Sequence, residues 1–208
     1  MKLLALETSS LACSVALQLG GDIFEAHEVQ PREHTKLLAP MIRDVLRDGS
    51  VKLADLDAIV LGNGPGSFIG LRIAASVAQG LAHGAGLQIV PVSSLAAVAA
   101  EVFAVSDADE AIVAQDAHMN EVYLGAYRRN DADLPELMFA ERLHGHMMID
   151  ELDGESVERR VAAGSGWQRY HELAAMNSAL IGEQVDILYP RARFLLALGT
   201  DALERGDV

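Results

Sequence analysis

The feature that most constrains the fold is an internal repeat. Residues 2–7 (KLLALE) read as a buried strand, 13–19 as a second and 23–29 as a third, with Gly20-Gly21-Asp22 as a hairpin turn. Residues 34–48 then carry Leu37, Leu38, Met41, Ile42, Val45 and Leu46 at helical spacing. A strand at 56–61 and a helix at 67–82 complete the set, and a strand at 87–92 and a helix from Ser93 or Ser94 to about Phe103 follow. The pattern then recurs: strands at 111–116, 121–128 and 137–143, a short helix near 147–152, a strand at 161–163 and a helix from Trp167. The two copies align at an offset of 109, which sets Ala5-Leu6-Glu7 against Ala114-Gln115-Asp116. A duplicated βββαβα unit predicts an α/β chain of two similar lobes, 1–105 and a smaller, truncated 106–208. The polar 105–109 stretch (VSDAD) is the boundary, and the final helix, 191–204, is expected to pack back on the first lobe.

Residues 58–85 form a strand, a break at Gly62-Asn63-Gly64-Pro65-Gly66 and a helix rich in small residues. Ser67 is placed to cap that helix. The turn is either an anion cradle at a helix start or a tight structural corner. Gly70, Ala74, Ala75, Ala78, Gly80 and Ala82 cost helix propensity at the glycines and suit close packing against another helix.

Charge narrows the function. Sixteen Lys and Arg against 30 Asp and Glu give a net charge of −14. A chain that grips nucleic acid by its phosphates needs a basic patch, and the densest basic pairs are only Arg128-Arg129 and Arg159-Arg160. No apolar run reaches the 18 residues or so of a membrane span. Glu7 inside the apolar start argues against a signal peptide, and the single cysteine, Cys13, fits a reducing cytoplasm.

Chemistry-bearing residues are sparse. Glu7 and Asp116 each end the first strand of a repeat; they read equally as acid/base carboxylates and as turn caps. Glu121 and Tyr123 alternate along a strand. His144 and His146 share a strand face, without an evident third metal ligand. No Walker A string and no G-x-S-x-G element is present.

Two tandem lobes of this plan are similar to the actin-like (RNase H-like) superfamily of actin, hexokinase and Hsp70. There the turns after the first strands face a nucleotide cleft, and the first reads D-x-G-x-T. Here it reads Glu7-Thr8-Ser9-Ser10-Leu11, lengthened at the acid and without the glycine. The strings GPGSFIGLRI (64–73), ALETSSLACSVAL (5–17), AQDAHMNEVYLGAY (114–127), AAGSGW (162–167) and Tyr189-Pro190-Arg191-Ala192 together resemble the TsaB (YeaZ) family, over nearly the whole chain. That family is the accessory subunit in threonylcarbamoyladenosine synthesis on tRNA. Glu7, Ile69 (where the family usually has Thr) and His118 (usually Arg) depart from its pattern.

The resemblance implies a scaffold rather than a catalyst. The chain would activate the catalytic homologue TsaD, with TsaE, a P-loop ATPase, as third partner; alone it would form a homodimer. It implies a degenerate nucleotide cleft at Glu7, Thr8, Ser9, Gly64, Gly66, Ser67, Asp116, Glu121, Gly164 and Gly166. It places partner contacts on two helices, at Leu37, Leu38, Met41, Ile42, Val45, Phe68, Leu71, Arg72, Ala75, Ala78, Gln79 and Ala82. No cofactor is expected on this chain, ATP and metal are expected on the partners, and tRNA is met only indirectly. The alternatives are a self-sufficient small-molecule kinase or ATPase of the same superfamily and, further off, a metallopeptidase.

Overall fold

The computed structural model describes residues 1–145, 147–152 and 157–207. The chain divides into two compact units, Met1–Ala97 with Pro190–Val208, and Val98–Tyr189. In the first, strands β1 (Lys2–Glu7), β2 (Ala12–Leu19) and β3 (Asp22–Val29) run antiparallel. Strands β4 (Ala58–Gly62) and β5 (Gln88–Val92) then extend the sheet in parallel, in the order β3-β2-β1-β4-β5. Period-2 alternation splits the buried residues of β1 between two faces. Leu4 and Leu6 join Val15, Leu17, Ile59 and Leu61 under helices α1 (His34–Asp48) and α2 (Phe68–Ala85). Leu3 and Ala5 face the other way, with Ala16, Val60 and Val90, against the last helix, here α6 (Ala192–Arg205).

The last helix follows the 106–208 lobe in sequence and is the element expected to pack back on the first lobe. In the structure its residues belong to the first unit, held by burial of Leu195 and Leu196 and by the Arg191 guanidinium, 2.6 Å from Glu25 on β3. Gly199 is needed there, because a Cβ would overlap the Val60 side chain. The boundary moves. It falls within α3 (Ser94–Val105), a helix buried along both stretches, rather than at the polar 105–109 stretch that follows.

The second unit repeats the sheet. Strands β6 (Glu110–His118), β7 (Glu121–Arg129) and β8 (Pro135–His144) are antiparallel. Strands β9 (Arg160–Ala163) and β10 (Glu183–Gln184) add in parallel, in the order β10-β9-β6-β7-β8. The short helix expected at 147–152 is absent: those residues form a turn. Asn177, fully buried, takes over the backbone groups a helix would have satisfied. Its Oδ1 accepts from the Ile149 N–H at 2.8 Å and its Nδ2 donates to the Met147 carbonyl at 3.0 Å. The helix expected from Trp167 is two short pieces, α4 (Ser165–Arg169) and α5 (His171–Met176).

Candidate functional site

The turn after β1 is sealed by the chain itself. Glu7 is fully buried. Its Oε1 accepts the Ser9 N–H at 2.5 Å and its Oε2 accepts the Ser94 hydroxyl at 2.6 Å. Ser94 in turn accepts the Gly64 N–H at 3.1 Å and donates its own N–H to the Gly64 carbonyl at 2.8 Å. The start of α2 closes over the turn: Ser67 N–H donates to the Ser9 carbonyl at 2.6 Å and the Thr8 hydroxyl to the Gly70 carbonyl at 2.8 Å. A Cβ on Gly66 would overlap the Ser9 carbonyl, and one on Gly70 the Thr8 carbonyl. Those two glycines exist for close backbone approach. His34, at the start of α1, completes the closure with Nε2 3.0 Å from the Ser10 carbonyl and 3.1 Å from that of Ala12.

This arrangement decides between the two readings of Glu7: it is a turn cap. It also tests the nucleotide that the superfamily implies. The residues do not fit one at this turn. The Ser9 and Ala12 amides already bond the Glu7 and Ser10 side chains, and the Ser67 and Gly70 amides bond Ser9 and Ser67. Burial pushes the Glu7 carboxyl above the ordinary Glu range, with the Ser94 and Ser9 hydrogen bonds pulling the other way. A phosphate beside that group would meet a buried acid and no free donor among these four amides. The glycine turn is therefore a corner, and Ser67 caps α2 by accepting from the Gly70 N–H at 3.2 Å.

In the second unit the equivalent carboxylate is more open. Asp116 Oδ1 accepts from the Tyr170 hydroxyl at 2.7 Å and the His118 N–H at 2.9 Å, and Oδ2 lies 3.2 Å from Arg169 Nε. Gly164 (φ 107°) and Gly166 pack against the Ala114 carbonyl, where a Cβ would collide. Glu121 pairs with His118 across the β6–β7 hairpin. Asp116 thus also ties its turn together. His144 Nε2 is 3.3 Å from the Met147 carbonyl; His146, its expected partner, lies outside the described residues. Among the described residues no group of three or more His, Cys, Asp or Glu is placed to hold a metal ion. Burial raises the Cys13 thiol to about 11, so it stays protonated and inert.

The two helices divide the expected partner residues. Leu38, Met41, Ile42 and Val45 on α1, and Ala78 and Ala82 on α2, are buried in the core against the first sheet. Leu37, Leu71 and Ala75 are half-buried. Phe68, Arg72 and Gln79 are exposed, and so are residues not named among the expected partner contacts: Ile69, Ser76, Gly80, His83 and Gly84. Nothing lies within 4 Å of where a Cβ on Gly80 or Gly84 would sit. The missed signal was in the charge pattern. From Ala58 to Ala100 the sequence has no Asp or Glu, in a chain with 30 of them.

The comparisons with known proteins agree with this geometry. Residues 26–189 match the family model "TsaD: tRNA N6-adenosine threonylcarbamoyltransferase". The chain is similar to the tRNA threonylcarbamoyladenosine biosynthesis protein TsaB of Haemophilus influenzae, 36% identical over 95% of this chain and 84% of that one. It is similar to TsaB of Escherichia coli K12, 35% identical over 99% and 89%. YeaZ from Pseudomonas aeruginosa superposes with a TM-score of 0.86 at 34% identity, covering 99% of this chain and 93% of the other. The chain belongs to the TsaB family. Its fold is the actin-like one, with each unit carrying the same five-stranded sheet. As a TsaB-family member it departs from the family motifs mostly at the surface. Ile69 and His118 are exposed, so neither disturbs a core. Glu7 is the internal departure: it is fully buried and accepts the Ser94 hydroxyl.

Proposed function

We propose that this chain is the accessory subunit of a complex that makes threonylcarbamoyladenosine in tRNA. The complex moves threonylcarbamoyl from threonylcarbamoyl-adenylate, made by a separate enzyme, to the adenosine 3′ of the anticodon. The chain does no chemistry itself. It docks on a TsaD-type catalytic subunit and activates it, with TsaE as a third component, in the cytoplasm. In the absence of the catalytic subunit the same face pairs with a second copy. ATP and metal belong to the partners, and tRNA reaches this chain only through them. Near-full-length similarity to proteins named for this pathway supports the biological role. No helix among the described residues is long and apolar enough to cross a membrane, in keeping with the cytoplasmic setting.

The observation that supports the non-catalytic reading is the turn at Glu7, Thr8 and Ser9, whose Ser9 and Ala12 amides, with those of Ser67 and Gly70 at the start of α2, are already bonded within the chain. The docking surface is the outward face of α2. Glycine inside an exposed helix costs about 1 kcal/mol relative to Ala. Gly80 and Gly84 have no internal neighbour to justify that cost, so a helix approaching from outside is the reason for them. The reaction is tested by reconstitution. The TsaD-type subunit, TsaE, threonylcarbamoyl-adenylate and tRNA are combined with and without this chain, and modified adenosine is measured by mass spectrometry. Modification is expected only with the chain present. Equal yields without it, or micromolar ATP binding by the isolated chain in calorimetry, would overturn the reading.

A further inference from the structure

Arg72 is unlike the other cations around it. Its guanidinium lies 3.7 Å over the Phe68 ring, on the exposed face of α2. Among the described residues it meets no carboxylate, although the chain holds 30 of them. Phe68 is 66% exposed and Ile69 beside it 70%, so the cation sits at the edge of an apolar patch. Stacking favours one orientation of the planar group, and Arg72 is exposed to solvent. Every acidic side chain on the neighbouring α1 is already paired. Asp44 lies 2.8 Å from Arg47 and 3.4 Å from Arg43, and Asp48 lies 2.9 Å from Arg47. Glu33, just before the helix, is 2.7 Å from Lys36. The acid-free stretch from Ala58 to Ala100 supplies nothing further.

A second copy of this chain presenting the same two helices therefore brings to Arg72 only carboxylates that each already neutralise a cation of their own. Burying an unpaired guanidinium in such a self-pair is unfavourable, and two chains of net charge −14 repel each other at long range. A different protein can bring a carboxylate to the fork and an apolar pocket for Phe68 and Ile69.

We propose that Arg72 is the partner-selecting residue of the α2 face: it takes a carboxylate from a different protein, beside the Phe68–Ile69 patch, and disfavours pairing with a second copy. The inference rests on the α2-face reading given under the proposed function. Selection arises because one residue favours the right partner by a charge-assisted pair and penalises the wrong one by desolvation.

The test uses the full chain and the purified TsaD-type subunit of the same organism. Affinity for that subunit is measured by calorimetry and self-association by sedimentation equilibrium, for the native chain and for Arg72→Met and Gly80→Leu. Both positions are exposed, and unchanged melting curves would establish that the variants fold. Arg72→Met is expected to weaken binding of the catalytic subunit about 30-fold or more, with self-association unchanged or tighter. A merely structural contact would weaken both alike, and that outcome overturns selection. Gly80→Leu is expected to weaken both associations by steric block. Loss with Gly80→Leu but binding within twofold of native for Arg72→Met overturns the Arg72 inference alone. Native binding by both variants overturns the α2-face reading itself.

Discussion

Glu7 is a carboxylate spent on holding its own turn together. Its carboxylate bonds Ser9 and Ser94, and through Ser94 it holds Gly64. Gly62 has to be glycine because a Cβ there would overlap the Glu7 carboxylate. Desolvation outweighs these hydrogen bonds and raises the carboxyl pKa in the folded state. The folded chain therefore binds this proton more tightly than the unfolded chain. Glu7's contribution to stability is then greatest when it is protonated, and falls as pH rises from the ordinary Glu value of about 4.3 through the raised folded value. Glu7→Gln removes that dependence while keeping an acceptor for Ser9. Urea unfolding at a series of pH values is expected to show the native chain losing stability relative to Glu7→Gln as pH rises through this window. A difference that stays flat with pH would show that Glu7 does not titrate in the fold.

At the scale of elements, α2 combines two demands on one helix. Its inner face, Ala74, Ala78 and Ala82, lets the helix lie close on the sheet, while Gly80 and Gly84 thin its outer face. The outer glycines are a weakness of the isolated chain. Gly80→Ala is expected to stabilise it by up to about 1 kcal/mol, read as a rise in the urea midpoint at constant m-value. The same change is expected to weaken association with the TsaD-type subunit. A more stable variant that binds as well as the native chain would remove the case for close helix approach at Gly80. In the second unit, the element corresponding in sequence order to α1 is not a helix over 147–152. There one buried side chain, Asn177, serves two backbone groups. Nothing in the local sequence announces that exchange, since Asn177 lies far along the chain from the turn it supports.

At the scale of the molecule, duplication and charge are the dominant facts. The two sheets share strand order and direction, strand for strand. The whole chain is strongly acidic, so its own grip on tRNA should be weak. Titrating labelled tRNA with the isolated chain, by fluorescence anisotropy at about 0.15 M salt, is expected to give no saturable binding at low micromolar concentration. Saturable binding that falls steeply with salt would mean that a local basic surface overrides the net charge, and tRNA would then contact this subunit directly.

The sequence by itself determined the duplicated strand order, helix α1 to the residue, the capping serine of α2 and the family, because these are carried by local period, turn chemistry and contiguous motifs. The tertiary structure alone decided three further points. It set the apolar stripe of α1 in the core, since a periodic stripe looks the same whether it meets a sheet or a partner. It supplied the contacts that hold the last helix on the first unit, the burial of Leu195 and Leu196 and the Arg191–Glu25 pair, since no local pattern encodes partners so distant in the chain. And it closed the turn at Glu7, since the groups that bond it belong to α2, some 60 residues away in the chain.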